Sequence, residues 1–309
     1  MRGIDLNLYR QDMDLATANP EPEISASCQP AELLSQAAPA PFHRILGIDF
    51  FDGSAQDAIA LMRSGGLLVV PAAPALKDLG KNSAYRESLL NADLAITDSA
   101  FMVLVWNRLQ RNPIKRLSGL EYLRELLLEP DLRRPGNTLW IMASPASAQR
   151  NLAWLAQQGI AIPEANIYMA PIYAGDQSGH STACPELAEG SGPSDVDSNH
   201  LSDPALLALI DGLRPQHIVV TIGGGTQERL GLYLKRNLSY RPAIHCVGAA
   251  IAFLSGDQVR IPVWADKLYL GWLLRSLSEP KRYIPRYWAA RKLFILMLRN
   301  RSHLPPLKS

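Results

Sequence analysis

Asp98 is the residue of this chain whose type and setting best fit a catalytic base. It follows the apolar run Leu94-Ala95-Ile96-Thr97 and, with Ser99, forms the turn before a segment with helical spacing. In an open parallel sheet the ligand crevice lies outside the carboxyl ends of the strands, so a carboxylate in this turn could remove a proton from a bound hydroxyl. An aspartate can equally cap the helix predicted to begin near Phe101. The residues alone leave both roles open.

A glycine-rich turn is the second candidate. It follows the apolar run that starts at His217, opens the next helix and consists of Gly223, Gly224, Gly225, Thr226, Gln227 and Glu228. Glycines let the backbone approach a ligand, and the free amides of a helix start favour negative charge, as in a nucleotide diphosphate. The spacing matches neither a Walker loop nor a Rossmann fingerprint. A tight strand-to-helix turn without a ligand is therefore the alternative.

Basic residues offer further anion contacts. Arg116 precedes a predicted helix and could bind phosphate, although an arginine on the surface is an equally good interpretation. The whole chain is nearly neutral, with 31 basic and 29 acidic residues, which argues against a nucleic-acid partner. From Gln258 onward, however, eleven basic residues face only Asp266 and Glu279. This end should attract phosphates or anionic lipid headgroups, unless it is only a solvated helix face.

The same C-terminal segment carries aromatic side chains and a short apolar run. The aromatic residues are Trp264, Trp272, Tyr283, Tyr287 and Trp288, and the apolar run extends from Leu293 to Leu298. These are the ingredients of an interfacial helix, and packing of a terminal helix on the domain is the alternative. No segment reaches the roughly 20 apolar residues of a spanning helix. We therefore expect peripheral contact with an anionic membrane surface, on the inner face of the cytoplasmic membrane.

Metal, disulfide and secretion signals are weak. The two Asp-x-Asp pairs are Asp12 with Asp14 and Asp195 with Asp197, and both pairs fall in segments that look disordered. The six histidines show no ligand spacing, so we expect no metal and no cofactor. The three cysteines are unevenly spaced, and the start of the chain lacks the pattern of a secretory signal. These features favour a cytoplasmic protein without disulfides.

Apolar runs that alternate with helical patterns must position the candidate residues. Strands are predicted at 44–50, 66–70, 94–97, 138–143, 166–170, 217–222 and 243–248, and helices at 55–63, 84–90, 101–109, 119–128, 146–158, 204–212 and 227–237. This alternation predicts a layered α/β domain with a mainly parallel sheet over residues 44–256. We expect a disordered leader at 1–43, a disordered insertion at 175–203 and a basic, aromatic, helical appendage at 257–309.

From about Ile45 to Trp288 the chain resembles the WecG/TagA/CpsF family of bacterial glycosyltransferases. No single motif is decisive, but their order and spacing are specific in combination. The motifs are Ile45-Leu46-Gly47-Ile48, Ala92-Asp93-Leu94 leading to Asp98, Arg116-Leu117-Ser118-Gly119, Gly223 to Glu228, Val247-Gly248-Ala249-Ala250, Phe253-Leu254-Ser255-Gly256, Arg260, Pro262, Trp264, Leu270-Gly271-Trp272-Leu273, Arg275, Glu279-Pro280, Arg282 and Arg286.

The resemblance implies a Rossmann-like domain that transfers a sugar, with inversion and without a required metal. The implied donor is a nucleotide sugar, usually UDP-linked, and the implied acceptor is linked to polyprenyl diphosphate. Family membership assigns the base to Asp98, which favours that role over the helix cap, and matches the family's glutamine to Gln227. The family's C-terminal arginines fold over the active site and bind diphosphate, and they correspond to Arg275, Arg282 and Arg286. Ser99, Arg116 and the turn from Gly223 to Gln227 complete the predicted substrate contacts.

Several turns depart from the family pattern. Pro71-Ala72-Ala73-Pro74 stands where the family has Thr-Pro-Asn, so two polar side chains expected near the substrate are missing. Asp98-Ser99 replaces Asp-Gly, Gly224-Gly225-Thr226 replaces Ala-Pro-Lys, and Ile251-Ala252-Phe253 replaces Phe-Asp-Phe. We predict a glycosyltransferase of cell-surface polysaccharide assembly. A catalytically silent nucleotide-sugar-binding protein that regulates such an assembly is the alternative. The donor sugar, the acceptor and homo-oligomer formation stay open.

Overall fold

An eight-stranded sheet forms the centre of the computed structural model, which describes residues 42–173, 201–258, 262, 264–265, 270–278 and 280–307. The strands are β1 (Phe42–Ile45), β2 (Ile48–Phe51), β3 (Gly66–Val69), β4 (Leu94–Ala95), β5 (Thr138–Met142), β6 (Ile167–Met169), β7 (His217–Val220) and β8 (Ala243–Cys246). Their order across the sheet is β1-β2-β4-β3-β8-β7-β5-β6. Only the β1–β2 pair is antiparallel, so the predicted α/β fold with a mainly parallel, Rossmann-like sheet is confirmed.

Helices alternate with the strands. They are α1 (Ala55–Met62), α2 (Ala73–Leu76), α3 (Ser83–Leu90), α4 (Ala100–Leu109), α5 (Gly119–Leu126), α6 (Pro130–Arg133), α7 (Pro145–Gln157), α8 (Pro204–Leu213), α9 (Thr226–Asn237), α10 (Ala250–Ser255), α11 (Gly271–Ser278) and α12 (Pro280–Asn300). Most of the longer ones begin at a side chain that accepts a free backbone amide. These caps are Ser54, Asn82, Ser99, Ser118, Ser144 and Asp203. Because the cap residues satisfy donors that the helix itself cannot, they set where each helix starts.

The core lies in two layers, one on each face of the sheet. Side chains of β3 and of Val70, which follows it, alternate between the layers, with Leu67 and Val69 in one and Leu68 and Val70 in the other. Residues of α3, α4, α8, α9 and the end of α12 fill the first layer, and residues of α1, α5, α7 and α10 fill the second. Every residue of β3 and β5 is buried, as expected for strands of a parallel sheet that is covered on both faces.

The first predicted strand is a hairpin. Residues 44–50 were expected to form one strand, but a two-residue turn at Leu46 and Gly47 folds β2 back on β1. Both residues have positive φ, 52° and 80°, as a tight hairpin turn requires. A leucine rarely adopts this conformation, which is why the turn was missed. It is held from outside, because the amides of Leu46 and Gly47 donate to the carbonyls of Arg301 and Ser302 at 2.8 and 2.9 Å.

The end of α12 packs on the domain. Leu293 and Met297 are fully buried in the first core layer, and the chain then passes the hairpin, where the Arg86 side chain donates to the Pro305 carbonyl. The helix-packing alternative therefore describes this part of the predicted appendage. Phe294, Ile295 and Leu298 of the same apolar run are exposed. No helix in the part of the chain that the structure describes is long and apolar enough to cross a membrane.

Two predicted irregular segments fall largely outside the described residues. Residues 1–41 of the leader and 174–200 around the insertion are not described, but Phe42 and His43 already belong to β1. Asp203, predicted as the end of the insertion, is buried at the start of α8. Its carboxylate accepts the Leu206 amide and the hydroxyls of Tyr168 and Tyr173, so assigning it to a disordered segment was wrong.

Candidate functional site

The candidate residues meet at the carboxyl edge of the sheet. β4 leads to Asp98, β3 to the turn Pro71–Pro74, β8 to Gly248 and β7 to the glycine-rich turn, in that spatial order. Asp98 and the glycine-rich turn thus stand three strands apart. At about 4.8 Å per strand, the separation is about 14 Å. Such an edge accommodates an extended ligand whose two ends contact different turns.

Asp98 is fixed by the loop that precedes α5. Thr97 Oγ1 donates to the Lys115 carbonyl and accepts the Leu117 amide, which ties the end of β4 to that loop. Asp98 Oδ1 then accepts the Gly119 amide at 2.9 Å. Among the described residues no donor reaches Oδ2, and 30% of the side chain is exposed. One carboxylate oxygen is therefore held and the other is available to a ligand.

Asp98 does not cap α4, as the helix-cap alternative predicted, but contacts the start of α5. Ser99, rather than Asp98, caps α4, because its hydroxyl accepts the Met102 amide at 3.2 Å. Ser99 was predicted to bind substrate, and the structure places its side chain, buried, at the helix start. Asp98 instead binds the first amide of α5, a helix that begins 21 residues further along the chain. That contact orients the carboxylate and leaves it partly exposed.

Arg116 lies beside Asp98 rather than on the open surface. Its Nε donates to the Asp98 carbonyl at 2.7 Å, and Nη2 lies 3.9 Å from Asp98 Oδ1. Only 14% of the side chain is exposed, so the surface-arginine interpretation was wrong. The guanidinium brings positive charge to the turn that holds the carboxylate.

Gly119 is a site residue that the sequence reasoning did not select. A Cβ at this position would lie 2.9 Å from Val70 Cγ1 and 3.7 Å from both Asp98 Oδ1 and the Val247 carbonyl. Only a glycine therefore lets the start of α5 approach the ends of β3, β4 and β8 together. The signal was present in the motif Arg116-Leu117-Ser118-Gly119, but its reason is visible only in three dimensions.

The glycine-rich turn is open on its outer side. Apart from the neighbouring residues in the chain, no atom of the described residues lies within 4 Å of the position that a Cβ would take on Gly224 or Gly225, and Gly225 has φ +94°. The turn leads into α9, twelve residues long, whose first residue Thr226 is buried. Free amides at such a helix start favour an anionic ligand.

Glu228 was named as part of the glycine-rich turn, but it was not predicted to have a role in the site. It is fully buried, Oε2 accepts the Gly225 amide at 2.6 Å, and Oε1 accepts Nε2 of Gln227 at 3.1 Å. Burial raises the pKa of this carboxyl to about 7, against the opposing effect of its hydrogen bonds. A glutamate three residues after a helix cap indicates a capping box, which was the available signal.

Gln227 is 3% exposed and lies against the turn after β8. A Cβ on Gly248, which has φ +58°, would come within 3.3 Å of both terminal atoms of the Gln227 amide. Gln227 Oε1 is buried without a hydrogen-bond partner in the described part of the chain. Unpaired buried acceptors are rare in folded proteins, so this one marks a place where a donor is missing.

The C-terminal segment, residues 257–309, contacts α5, the helix whose first amide binds Asp98. Ala265 is buried against Leu120 of α5 and Phe253 of α10, and Leu270 and Leu274 pack against the same cluster. Arg275, Arg282 and Arg286 belong to α11 and α12, but their side chains lie outside the described residues, as does Arg260.

The turn after β3 offers no polar side chain. Ala72 precedes α2 without a side-chain cap, and Ala73 and Pro74 follow inside the helix. In the described ranges no three His, Cys, Asp or Glu residues are grouped as a metal site would require, and Asp12, Asp14, Asp195 and Asp197 lie outside those ranges. Two open cavities of about 560 and 440 Å³ flank the β1–β2 hairpin and contain none of the predicted site residues.

Comparison with known proteins identifies the family. The family model described as Glycosyl transferase WecG/TagA/CpsF family matches residues 43–305, which is most of the chain and all of the sheet except its first residue. A search of curated proteins finds no significant match. The chain therefore belongs to the WecG/TagA/CpsF family of glycosyltransferases, which is involved in cell-surface polysaccharide synthesis.

Proposed function

We propose that this protein is an inverting, metal-independent glycosyltransferase that moves a sugar from a UDP-linked donor to a polyprenyl-diphosphate-linked acceptor. The observation that carries the proposal is the state of Asp98. Its carboxylate stands at the carboxyl edge of a parallel sheet, with Oδ1 held by the Gly119 amide and Oδ2 available. A base needs such an oriented and accessible oxygen before its pKa matters.

The proposed step is a single displacement. Asp98 Oδ2 accepts the proton of the acceptor hydroxyl while the hydroxyl oxygen attacks the anomeric carbon of the donor. The bond from that carbon to the diphosphate oxygen breaks, and the electron pair leaves with UDP. Attack on the face opposite the leaving group inverts the anomeric centre. Asp98 ends the step protonated and returns its proton to solvent.

Fixed positive charge replaces a metal ion in this proposal. The amides of Gly223 and Gly224 and the start of α9 are proposed to face the departing diphosphate, where negative charge develops, while the Gly225 amide is bound by Glu228. Arg116 adds charge at the other end of the edge, where it also holds Asp98. Arg275, Arg282 and Arg286 are proposed to close over the diphosphate from the C-terminal segment. The contact of Ala265 with Leu120 supports that lid, because it starts the segment beside α5.

The exposed face of α12 is proposed to contact the membrane that carries the lipid-linked acceptor. Ile284, Trp288, Arg291, Ile295 and Leu298 recur at helical spacing on this face, and all five are exposed. The Arg291 guanidinium lies 4.3 Å from the centre of the Trp288 ring. Aromatic and apolar side chains with cations fit an anionic interface on the cytoplasmic side.

Transfer of a radiolabelled sugar to polyprenyl-diphosphate-linked acceptors tests the proposal. We expect turnover by the wild type and a loss of at least a hundredfold in Asp98→Ala and Asp98→Asn, within the range that general-base catalysis contributes. Asp131→Asn is the matched control, because Asp131 is an exposed carboxylate of α6. Unchanged turnover in Asp98→Ala would show that the base assignment is wrong.

A catalytically silent binding protein is the second candidate. The apolar turn at Ala72 and Ala73 favours it, because no side chain there can hydrogen-bond a substrate. Such a protein would be stabilised against heat by UDP-sugars, since a ligand that binds only the native state raises its stability, and it would transfer none of them. Turnover of any UDP-sugar by the purified wild type excludes this candidate.

A further inference from the structure

Gln227 and Glu228 form a polar pair between the two turns that end β7 and β8. Glu228 is fully buried and can only accept hydrogen bonds when it is ionised. One of its oxygens takes the Gly225 amide, and the other takes Nε2 of Gln227. Both oxygens are therefore engaged, and the donor end of the Gln227 amide is fixed toward Glu228.

This arrangement determines what Gln227 can offer a ligand. With Nε2 tied to Glu228, the carbonyl oxygen Oε1 is the free end of the amide, and it is buried without a partner in the described part of the chain. Gly248 lies beside it and has no Cβ to cover it, since a Cβ there would come within 3.3 Å of both amide atoms. A ligand group that reaches between the two turns thus meets an acceptor.

We propose that Glu228 is a positioning residue which fixes the Gln227 amide, so that Gln227 accepts a hydrogen bond from a hydroxyl or N–H group of the nucleotide-sugar donor. This inference rests on the proposed function. It separates two roles at the glycine-rich turn, because an acceptor cannot bind the diphosphate. In this division the amides of Gly223 and Gly224 bind the diphosphate, and Gln227 recognises an uncharged hydroxyl or N–H group of the same ligand.

Replacing one carboxylate oxygen of Glu228 by an NH₂ group tests its role. In Glu228→Gln the new amide can still accept the Gly225 amide, but it presents an NH₂ group to Gln227. The Gln227 amide must then rotate to accept this bond, and its Nε2 faces the ligand. Two hydrogen-bond donors that face each other both stay unpaired. We therefore expect the Kd for the nucleotide sugar to increase by about tenfold or more.

Gln227→Met removes the amide, and with it the hydrogen-bond acceptor, and should raise the Kd for the nucleotide sugar by a similar factor. In the double variant Glu228→Gln/Gln227→Met, the Glu228 change has no amide to rotate. We therefore expect the double variant to bind no more weakly than Gln227→Met alone, which is a non-additive result. A purely structural role of Glu228 would lower the unfolding temperature and would not produce this dependence on Gln227.

The measured quantities are the Kd values for UDP and for a panel of UDP-hexoses and UDP-N-acetylhexosamines. The Kd values are measured at pH 8, where Glu228 is ionised. The unfolding temperature of each variant without ligand is the control. An effect seen with UDP places the recognised group on the nucleoside, and an effect confined to UDP-sugars places it on the sugar. Equal Kd values in the wild type and Glu228→Gln, or losses that multiply in the double variant, overturn the inference. A wild type that binds none of these ligands contradicts the proposed function instead.

Discussion

The buried carboxyl of Glu228 should make the free energy of unfolding fall as the pH rises, and Glu228→Gln should remove this dependence. Burial raises its pKa from the ordinary 4.5 to about 7. The folded state therefore keeps a proton that the unfolded state loses as the pH rises above 4.5. Between these two values the free energy of unfolding should fall by about 1.4 kcal/mol per pH unit, and above about pH 7 the loss is complete.

The magnitude follows from the two pKa values. The difference between about 7 and 4.5, at about 1.4 kcal/mol per pKa unit, gives about 3 kcal/mol across the whole range. Glu228→Gln cannot ionise, so the wild type should lose stability relative to this variant by about 2 to 3 kcal/mol between pH 5 and pH 7. Urea unfolding followed by tryptophan fluorescence at pH 5, 6, 7 and 8 measures both curves.

The half-buried His217 and the buried His245 also affect stability in this pH range, but their effect is the same in both proteins and cancels in the comparison. Burial lowers the pKa of His217 and His245, so both destabilise the fold as the pH falls below their ordinary 6.5. They are present in the wild type and in Glu228→Gln alike. The difference between the two curves therefore reports Glu228. Parallel curves from pH 5 to pH 8 would refute the argument, because they would mean that Glu228 binds its proton equally in both states.

Two further predictions concern α5 and α12. Gly119→Ala places a Cβ 2.9 Å from Val70 Cγ1, so α5 must move away from Asp98 and kcat should fall by about tenfold or more. Gly212→Ala, where the added Cβ meets open space, is the control and should leave kcat unchanged. Equal kcat values in the two variants would contradict this reasoning. The pair Trp288→Ser and Ile295→Ser should reduce flotation with anionic liposomes, in a salt-dependent assay where Leu128→Ser is the exposed control. If the pair still floats like the wild type, α12 is not the membrane contact.

The position of the site could be predicted from the sequence because local pattern determines it. Apolar runs that alternate with helical spacing gave the sheet, and in such a sheet every strand end reaches the same edge. Asp98 and the glycine-rich turn were therefore expected at one edge, as observed. The family motifs marked the same turns, and the family model covers them.

The partners within the site could not be predicted because they depend on distant segments. Asp98 binds the amide of Gly119, 21 residues away, and the need for glycine there comes from Val70 on another strand. Leu293 and Met297 belong to the apolar run that was interpreted as an interfacial helix, with packing on the domain as the alternative, and in the structure they enter the core. Helical spacing shows which residues share a face and does not show which face is covered.

The two carboxylates of the site show why geometry must decide between them before pKa does. Glu228 has the raised pKa that often marks a catalytic acid or base. It is nevertheless fully buried, and both of its oxygens are engaged by Gly225 and Gln227, so no acceptor hydroxyl can reach it. Asp98 is partly exposed and lies beside the Arg116 guanidinium, and among the described residues no donor reaches its Oδ2. These contacts support the proposed role of Asp98 as the base and the proposed role of Glu228 in positioning Gln227.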